Sequence, residues 1–343
     1  MVPIDMKRLL YFGYYLKNLE FPSFRKYLNY VREKHNQSFA VLLTDIVASS
    51  FKYNISILEY FQFGFFELTP EERAKWAGTG FMYEYQLVMN PKKQRAALED
   101  KRIFLKKFGP FVFHNWADRQ TLEKDPAKFK TLKENPSARL VLKKHDGQCG
   151  KGVKIISTSG LDRAKLFREM DLSGNDLVEE FIVQHPSLMK LSSSGLNTIR
   201  IFTQVNAEGG VDFLGCRIRI TVNSAVDNLA AGNLAAPVDF ESGKITGPGV
   251  YADMTKKDEF IHPVSQAPII GFQVPFWSET LDMVEKAALF FPECLSIGWD
   301  IAITERGPEL IEGNHDWCKL VWQLPVRKGL KPVLEKHLMA LKK

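Results

Sequence analysis

Residues 298–314, GWDIAITERGPELIEGN, leave the chain little choice of local fold. Two runs that alternate apolar and polar residues flank a polar, glycine-containing turn, which is the pattern of an antiparallel hairpin. With the turn at Thr304 to Pro308, Asp300 faces Glu312 and Asn314 lies two residues further along the same face, while Ile301, Ile303 and Ile311 point to the other. Two carboxylates opposed across a ladder repel each other unless a cation neutralises them. Oxygen ligands of this type and number suit Mg²⁺, which would also bridge nucleotide phosphates.

A second segment asks for an anion. LKKHDGQCGKGV, residues 142–153, places three glycines and three lysines in one connection between two strand-like runs. Glycines let backbone N–H groups approach and surround phosphate oxygens. The spacing is not that of a Walker loop, because Gly152 follows Lys151 where Ser or Thr is needed. A loop closing over phosphates from between antiparallel strands fits better, with Lys143 pointing to the same site. The runs TIRIFTQV and FLGCRIRITV flank the turn at residues 206–210, so Arg217 and Arg219 share a face and Arg200 falls near Arg217 across the hairpin. Guanidinium groups gathered on one face are balanced by phosphate or carboxylate. The small-residue loop DNLAAGNLAAP follows, and its Asp227, Asn228 and Asn233 are placed to close over a reacting centre.

The rest of the chain sets the frame. From Met6 to about Arg95, aromatic residues and leucine recur at helical spacing, and Thr69-Pro70-Glu71-Glu72 is a helix start. After Gly109 the character changes to short β-rich runs separated by Gly, Pro and Asn, with helix-like segments at 161–170 and 278–291. The fold class is α+β, with antiparallel sheets and flanking helices. Net charge is +6, with 40 acidic residues mixed among 46 basic ones, so no block of one sign suggests a nucleic-acid partner. The four cysteines, Cys149, Cys216, Cys294 and Cys318, form no zinc-binding spacing and read as reduced thiols in a cytosol.

The order of these parts resembles the ATP-grasp superfamily. More narrowly, QHPSLMKLSSSGLNTIRIFT (184–203), DNLAAGNLAAPVDFESGKI (227–245) and IGWDIAITERGPELIEGN (297–314) resemble the sugar-transfer-associated ATP-grasp family of capsule and exopolysaccharide synthesis, over about Lys101 to Gln323. The helical spacing sets a mostly helical N-terminal domain at 1–98; the resemblance implies an ATP-grasp N-lobe at 99–183 and a C-lobe at 184–343, the two α+β lobes clasping ATP. Lys101 and Lys143 would contact its phosphates under a lid that includes Gly147, Gly150, Lys151 and Gly152. Glu180, Phe181 and Ile182 would form the hinge that pairs with adenine, with Glu179, Gln184 or His185 for adenine or ribose. Arg217 would bind the transferring phosphate, Arg200 would steady an acyl phosphate, and Arg219 and Asn228 would join the catalytic groups. Asp300, Glu312 and Asn314 would hold Mg²⁺, two ions being expected, with Mn²⁺ as a substitute.

Two departures stand out. Lys144 occupies a position where many relatives carry proline, and no arginine precedes Asp300 as it does in the D-alanine:D-alanine ligases, so the acyl-phosphate contact falls to Arg200, Arg219 or another group. The first domain also lacks the βαβ glycine turn usual before an ATP-grasp unit. The implied activity joins a carboxylate, from a sugar acid or amino acid, to an amine. Phosphotransfer to another acceptor and a non-catalytic ATP-binding partner of glycosyltransferases are the competing readings. The expected location is cytoplasmic, extending to the inner face of a membrane through amphipathic helices and a glycosyltransferase complex.

Overall fold

The computed structural model describes residues 6–147, 150 and 152–341. Helical spacing in the first part becomes helices at Met6–Lys17, Phe21–His35, Phe39–Tyr53, Ile57–Gln62 and Thr79–Met89. Their limits are set locally. Ser56 and Thr69 each form a reciprocal capping box with the glutamate three residues on, while Asn36 and Asn54 end their helices in the left-handed conformation. Tyr27, Val31, Leu42, Ile46, Tyr60 and Phe61 form the core of this region.

The remainder builds two antiparallel sheets. The smaller has strands β1 (Trp116–Asp118), β2 (Arg139–Lys143), β3 (Lys154–Ser157) and β4 (Leu177–Glu180) in the order β1-β4-β2-β3. The larger has β5 (Thr198–Val205), β6 (Val211–Ile220), β7 (Leu234–Val238), β8 (Ser296–Thr304) and β9 (Gly307–Asn314) in the order β7-β6-β5-β8-β9. Pro237 is tolerated because β7 is an edge strand. One face of the larger sheet packs Ile199, Ile201, Ile218, Ile301 and Leu310 against the helix Trp277–Phe290. The other face is covered at one end by Met82, Tyr85, Trp317 and Trp322 and opens at the other to the cleft between the sheets.

Hairpin β8–β9 pairs Asp300 with Glu312 and Gly298 with Asn314, as alternation requires. A bulge then shifts the register, so that Ile301 faces Leu310 and Ile311 is left over. Ile311 therefore lines the cleft instead of the core, correcting its expected orientation. Strand β4 ends at Glu180, so Phe181 and Ile182 lie just beyond it.

The helical part is tied to the larger lobe. The helix Thr79–Met89 contributes Met82, Tyr85 and Met89 to a core shared with Phe202, Trp317 and Trp322, although it precedes residue 98. Lys319, at the start of the helix Lys319–Gln323, is half-buried and pairs with buried Glu59 at 2.8 Å. Glu59 also accepts from Ser56 N and from the Thr79 backbone and hydroxyl.

Candidate functional site

A cleft of about 570 Å³ runs between the two sheets. Its floor is the open face of the larger sheet. Register places Thr198 opposite Arg219, and Arg200 between Arg217 and Asp300. The Asp300 carboxylate is 2% exposed and held by both Arg200 and Arg219: the Arg200 Nη2 donates to its Oδ2 at 2.8 Å and the Arg219 Nη2 lies 2.6 Å from the same oxygen. Burial opposes its charge, but the two guanidinium groups win and hold the carboxyl down at about 2. Arg219 also faces Asp227 at 3.2 Å and donates to the Thr198 hydroxyl, which in turn donates to Asp227. Asp227 is pushed up by burial, with Asp300 adding to the effect.

Glu312 is compensated only in part, by the Lys101 and Arg200 charges. Burial and the neighbouring Asp300 both raise it above the usual range. Asn314 donates through Nδ2 to the Gly298 carbonyl at 3.2 Å and to Glu312 Oε1 at 3.3 Å, leaving its Oδ1 as an acceptor. Among the described residues no three His, Cys, Asp or Glu side chains form a metal-binding group. The donor set Glu312, Asn314 and Asp300 is instead a mixed carboxylate and amide oxygen set, a type that suits Mg²⁺; Arg200 and Arg219 already engage both Asp300 oxygens, so the open donors are those of Glu312 and Asn314.

The smaller lobe forms the roof. Lys101 donates to the Gly147 carbonyl, and its own N–H donates to the His145 carbonyl at 2.9 Å, so it is fixed beneath the glycine loop. Gly150 has φ +70°, and a Cβ there would stand 2.6 Å from the Val226 Cγ1 of the opposite lobe. Only glycine allows this approach, so the loop spans the cleft to the far wall. Gly152, at φ +75°, accepts from the Asn175 amide at the loop's base. Lys151 lies outside the described residues, as do Gln148 and Cys149.

Lys143 lines the cleft and binds Glu179 Oε2 at 2.6 Å. Glu180 accepts from the Asn115 backbone and side chain, and the Phe181 ring stacks under the Arg139 guanidinium, 3.7 Å from its centroid. Phe181 N–H already donates to the Arg139 carbonyl, so it is engaged within the protein. Ile182 and Gln184 also line the cleft, but the Gln184 amide is held by Ser192, Gly195 and Asn197 and orders the 192–197 loop. Asn228 caps the short turn Leu229–Ala231 at the cleft wall.

Two expected residues are elsewhere. Arg217 sits directly opposite Arg200, yet the helix Lys319–Gln323 covers that end of the sheet, and the Arg217 guanidinium donates to the Trp322 carbonyl at 2.6 and 3.1 Å. Burial without a carboxylate partner pulls it down to about 10. It does not line the cleft. His185 likewise turns away: its ring contacts Ser187 and lies against Phe276, where it caps the helix Pro186–Leu191.

One buried cluster went unseen in the sequence. His114 Nδ1 lies 2.8 Å from Glu309 Oε2, and that oxygen also accepts from the N–H groups of Phe113 and His114, both at 2.9 Å. His114 Nε2 is 3.5 Å from Glu179 without forming a hydrogen bond. Burial disfavours the imidazolium, but Glu179 and Glu309 outweigh it and push the ring up to about 9. Glu179 is pulled down to about 2, the Lys143 and His114 charges overcoming burial. Alternating charges thus run Lys143, Glu179, His114, Glu309 from the roof to the floor. No local motif signals this, since His114 and Glu309 are 195 residues apart.

No curated protein shows significant sequence similarity to the chain. Solved structures with a similar fold include the ATP-grasp ligase PsnB complexed with minimal precursor, at 11% identity and TM-score 0.42 over 74% of this chain and 63% of that one. D-alanine–D-alanine ligases are also similar: that of Bacillus anthracis at 13% identity and TM-score 0.41, covering 76% of each chain, and that of Helicobacter pylori at 11% and 0.41, covering 72% of this chain and 59% of that one. The chain thus spans somewhat under two thirds of the PsnB chain it matches. The pattern of sugar-transfer associated ATP-grasp proteins matches residues 81–338, about three quarters of the sequence. The chain belongs to the sugar-transfer associated ATP-grasp family.

Proposed function

We propose that the chain is an ATP-dependent ligase that joins a carboxylate to an amine through an acyl phosphate, modifying a sugar acid or glycan precursor in polysaccharide synthesis. The observation that carries this reading is the meeting, across one cleft, of Lys101, Lys143 and the glycine loop with Arg200, Arg219, Asp300, Glu312 and Asn314. The first set offers donors and positive charge to a triphosphate. The second offers guanidinium groups and oxygen ligands to the atoms that react.

In this reading the substrate carboxylate attacks the γ-phosphorus of ATP, the bond to the β–γ bridging oxygen breaks, and ADP leaves. The amine then attacks the acyl carbon, phosphate departs with the acyl C–O bond pair, and the amine proton passes to solvent. Glu312 and Asn314, with Asp300, would hold Mg²⁺, which when bound screens the phosphate charge; two ions, with Mn²⁺ substituting, extend the same reading. Arg200 and Arg219 are already oriented by Asp300, so little reorganisation is needed to meet developing negative charge. The loop across the cleft would keep water from the acyl phosphate. The adenine would lie toward Phe181, Ile182 and Val141, which line the roof end.

Hydroxylamine in place of the amine gives the test. Across a panel of uronic acids and amino acids with Mg-ATP, at least one acid should give a hydroxamate together with ADP. An acid that stimulates ADP release but gives a phosphorylated product and no hydroxamate would favour phosphotransfer, and ATP binding with no turnover on any acid would favour a non-catalytic partner.

A further inference from the structure

The helix Met6–Lys17 is apolar on both sides. Tyr15 is buried, and Tyr11 and Phe12 pack on the core of the helical region. On the opposite side Met6, Leu9, Leu10 and Leu16 follow helical spacing and are 73%, 51%, 71% and 52% exposed. Tyr14 extends this surface. A helix with apolar residues on two opposite sides is normally covered on both. This one is covered on one.

Charge identifies the cover. Residues 6–35 contain seven Lys and Arg but only two Asp and Glu, and the helix Met6–Lys17 contains no acid. Lys7 pairs with Glu84 and Lys26 with Asp253, so the surplus falls on the others, among them Lys17, Arg25, Arg32 and Lys34. By helical spacing Lys17 falls within the apolar arc, where its stem can lie along the surface while the ammonium reaches a headgroup. A second copy docking through the same face would bring the two Lys17 ammonium groups together. No helix among the described residues is long and apolar enough to cross a membrane, so the fit is to a helix lying in the interface.

We infer that the exposed face of the helix Met6–Lys17, with Tyr14, docks the protein on an anionic lipid bilayer. Tyrosines suit the headgroup region, and leucines and Met6 would enter the acyl boundary. The inference is independent of the reaction in the cleft.

Cosedimentation of the full chain with vesicles tests it. Partition onto phosphatidylcholine vesicles carrying about 30% phosphatidylglycerol should exceed that onto phosphatidylcholine alone by about tenfold or more, and should fall severalfold on raising salt. Leu9→Glu with Leu10→Glu should lower anionic partition by about tenfold or more, and Lys17→Glu severalfold, with the thermal midpoint and ATP binding unchanged. Should the double variant fail to fold, Met6→Ser, at the most exposed position, must still reduce partition. Equal binding to both vesicle types, or binding indifferent to these substitutions, would overturn the inference. So would a wild-type dimer that Leu10→Glu converts to monomer, since that would assign the face to a second copy.

Discussion

Asp300→Asn should cost the folded protein about 3–5 kcal/mol, because it leaves Arg200 and Arg219 facing one another in a buried site with no full negative charge between them. The amide keeps the shape and one acceptor, so the loss is electrostatic. Glu312 responds in the opposite sense. Asp300 is one of the two influences that raise it, so removing that charge lets Glu312 ionise more readily and pair with the stranded guanidinium groups. That rearrangement would recover part of the stability but draw the arginines off their positions. ADP release with an acid substrate should therefore fall by about 100-fold or more, and the tightening of ADP binding by Mg²⁺ should be lost. Urea unfolding and calorimetry with and without Mg²⁺ measure the two effects. Near-wild-type values in both would remove Asp300 from the centre of the site.

His114→Gln should give the second large effect, and its signature is the pH dependence. The ring's pKa is about 9 in the folded chain against an ordinary 6.5, so folding takes up a proton. The resulting stabilisation, on the order of 3 kcal/mol, is fully present below pH 6.5 and is lost as pH rises through about 9. Wild type and variant should thus differ most near pH 6 and converge in alkali. Glu179 acts in a separate window: its depressed pKa gives stability that is present above its ordinary 4.5 and is lost as pH falls through about 2. Because the same glutamate holds the Lys143 ammonium, ATP affinity should weaken in the variant as well. Denaturant melts at pH 6, 7.5 and 9 distinguish this reading from simple loss of packing, which would give a gap independent of pH.

The sequence made the cleft's floor legible because a strand repeats every two residues. Asp300, Glu312 and Asn314 share a face on that rule alone, and Arg219 and Arg200 follow from it too. The rule cannot place a bulge, so Ile311 was assigned to the wrong side. Nor does it say which element covers a face. Arg217 has the orientation that alternation requires and still lies under the helix Lys319–Gln323, which forms around Trp322 far along the chain. Glycine chemistry disclosed the loop but not its contact with Val226, which depends on how closely two lobes approach. His114 and Glu309 were invisible for a related reason: each is an ordinary residue until the folded chain buries both and leaves each with the other as partner.

The ion pair between Glu59 and Lys319 has a consequence for dissecting this protein. The family pattern begins at residue 81, which invites cutting there. Such a cut would discard Glu59 and leave an ammonium stranded beside Cys318 and Val321, both at the cleft wall. It would also bare the apolar side of Leu324 and Val250 that Phe61 and its neighbours cover. The limit of the family pattern is thus not a limit of packing, and the leading helices are structural masonry for the sheets that follow.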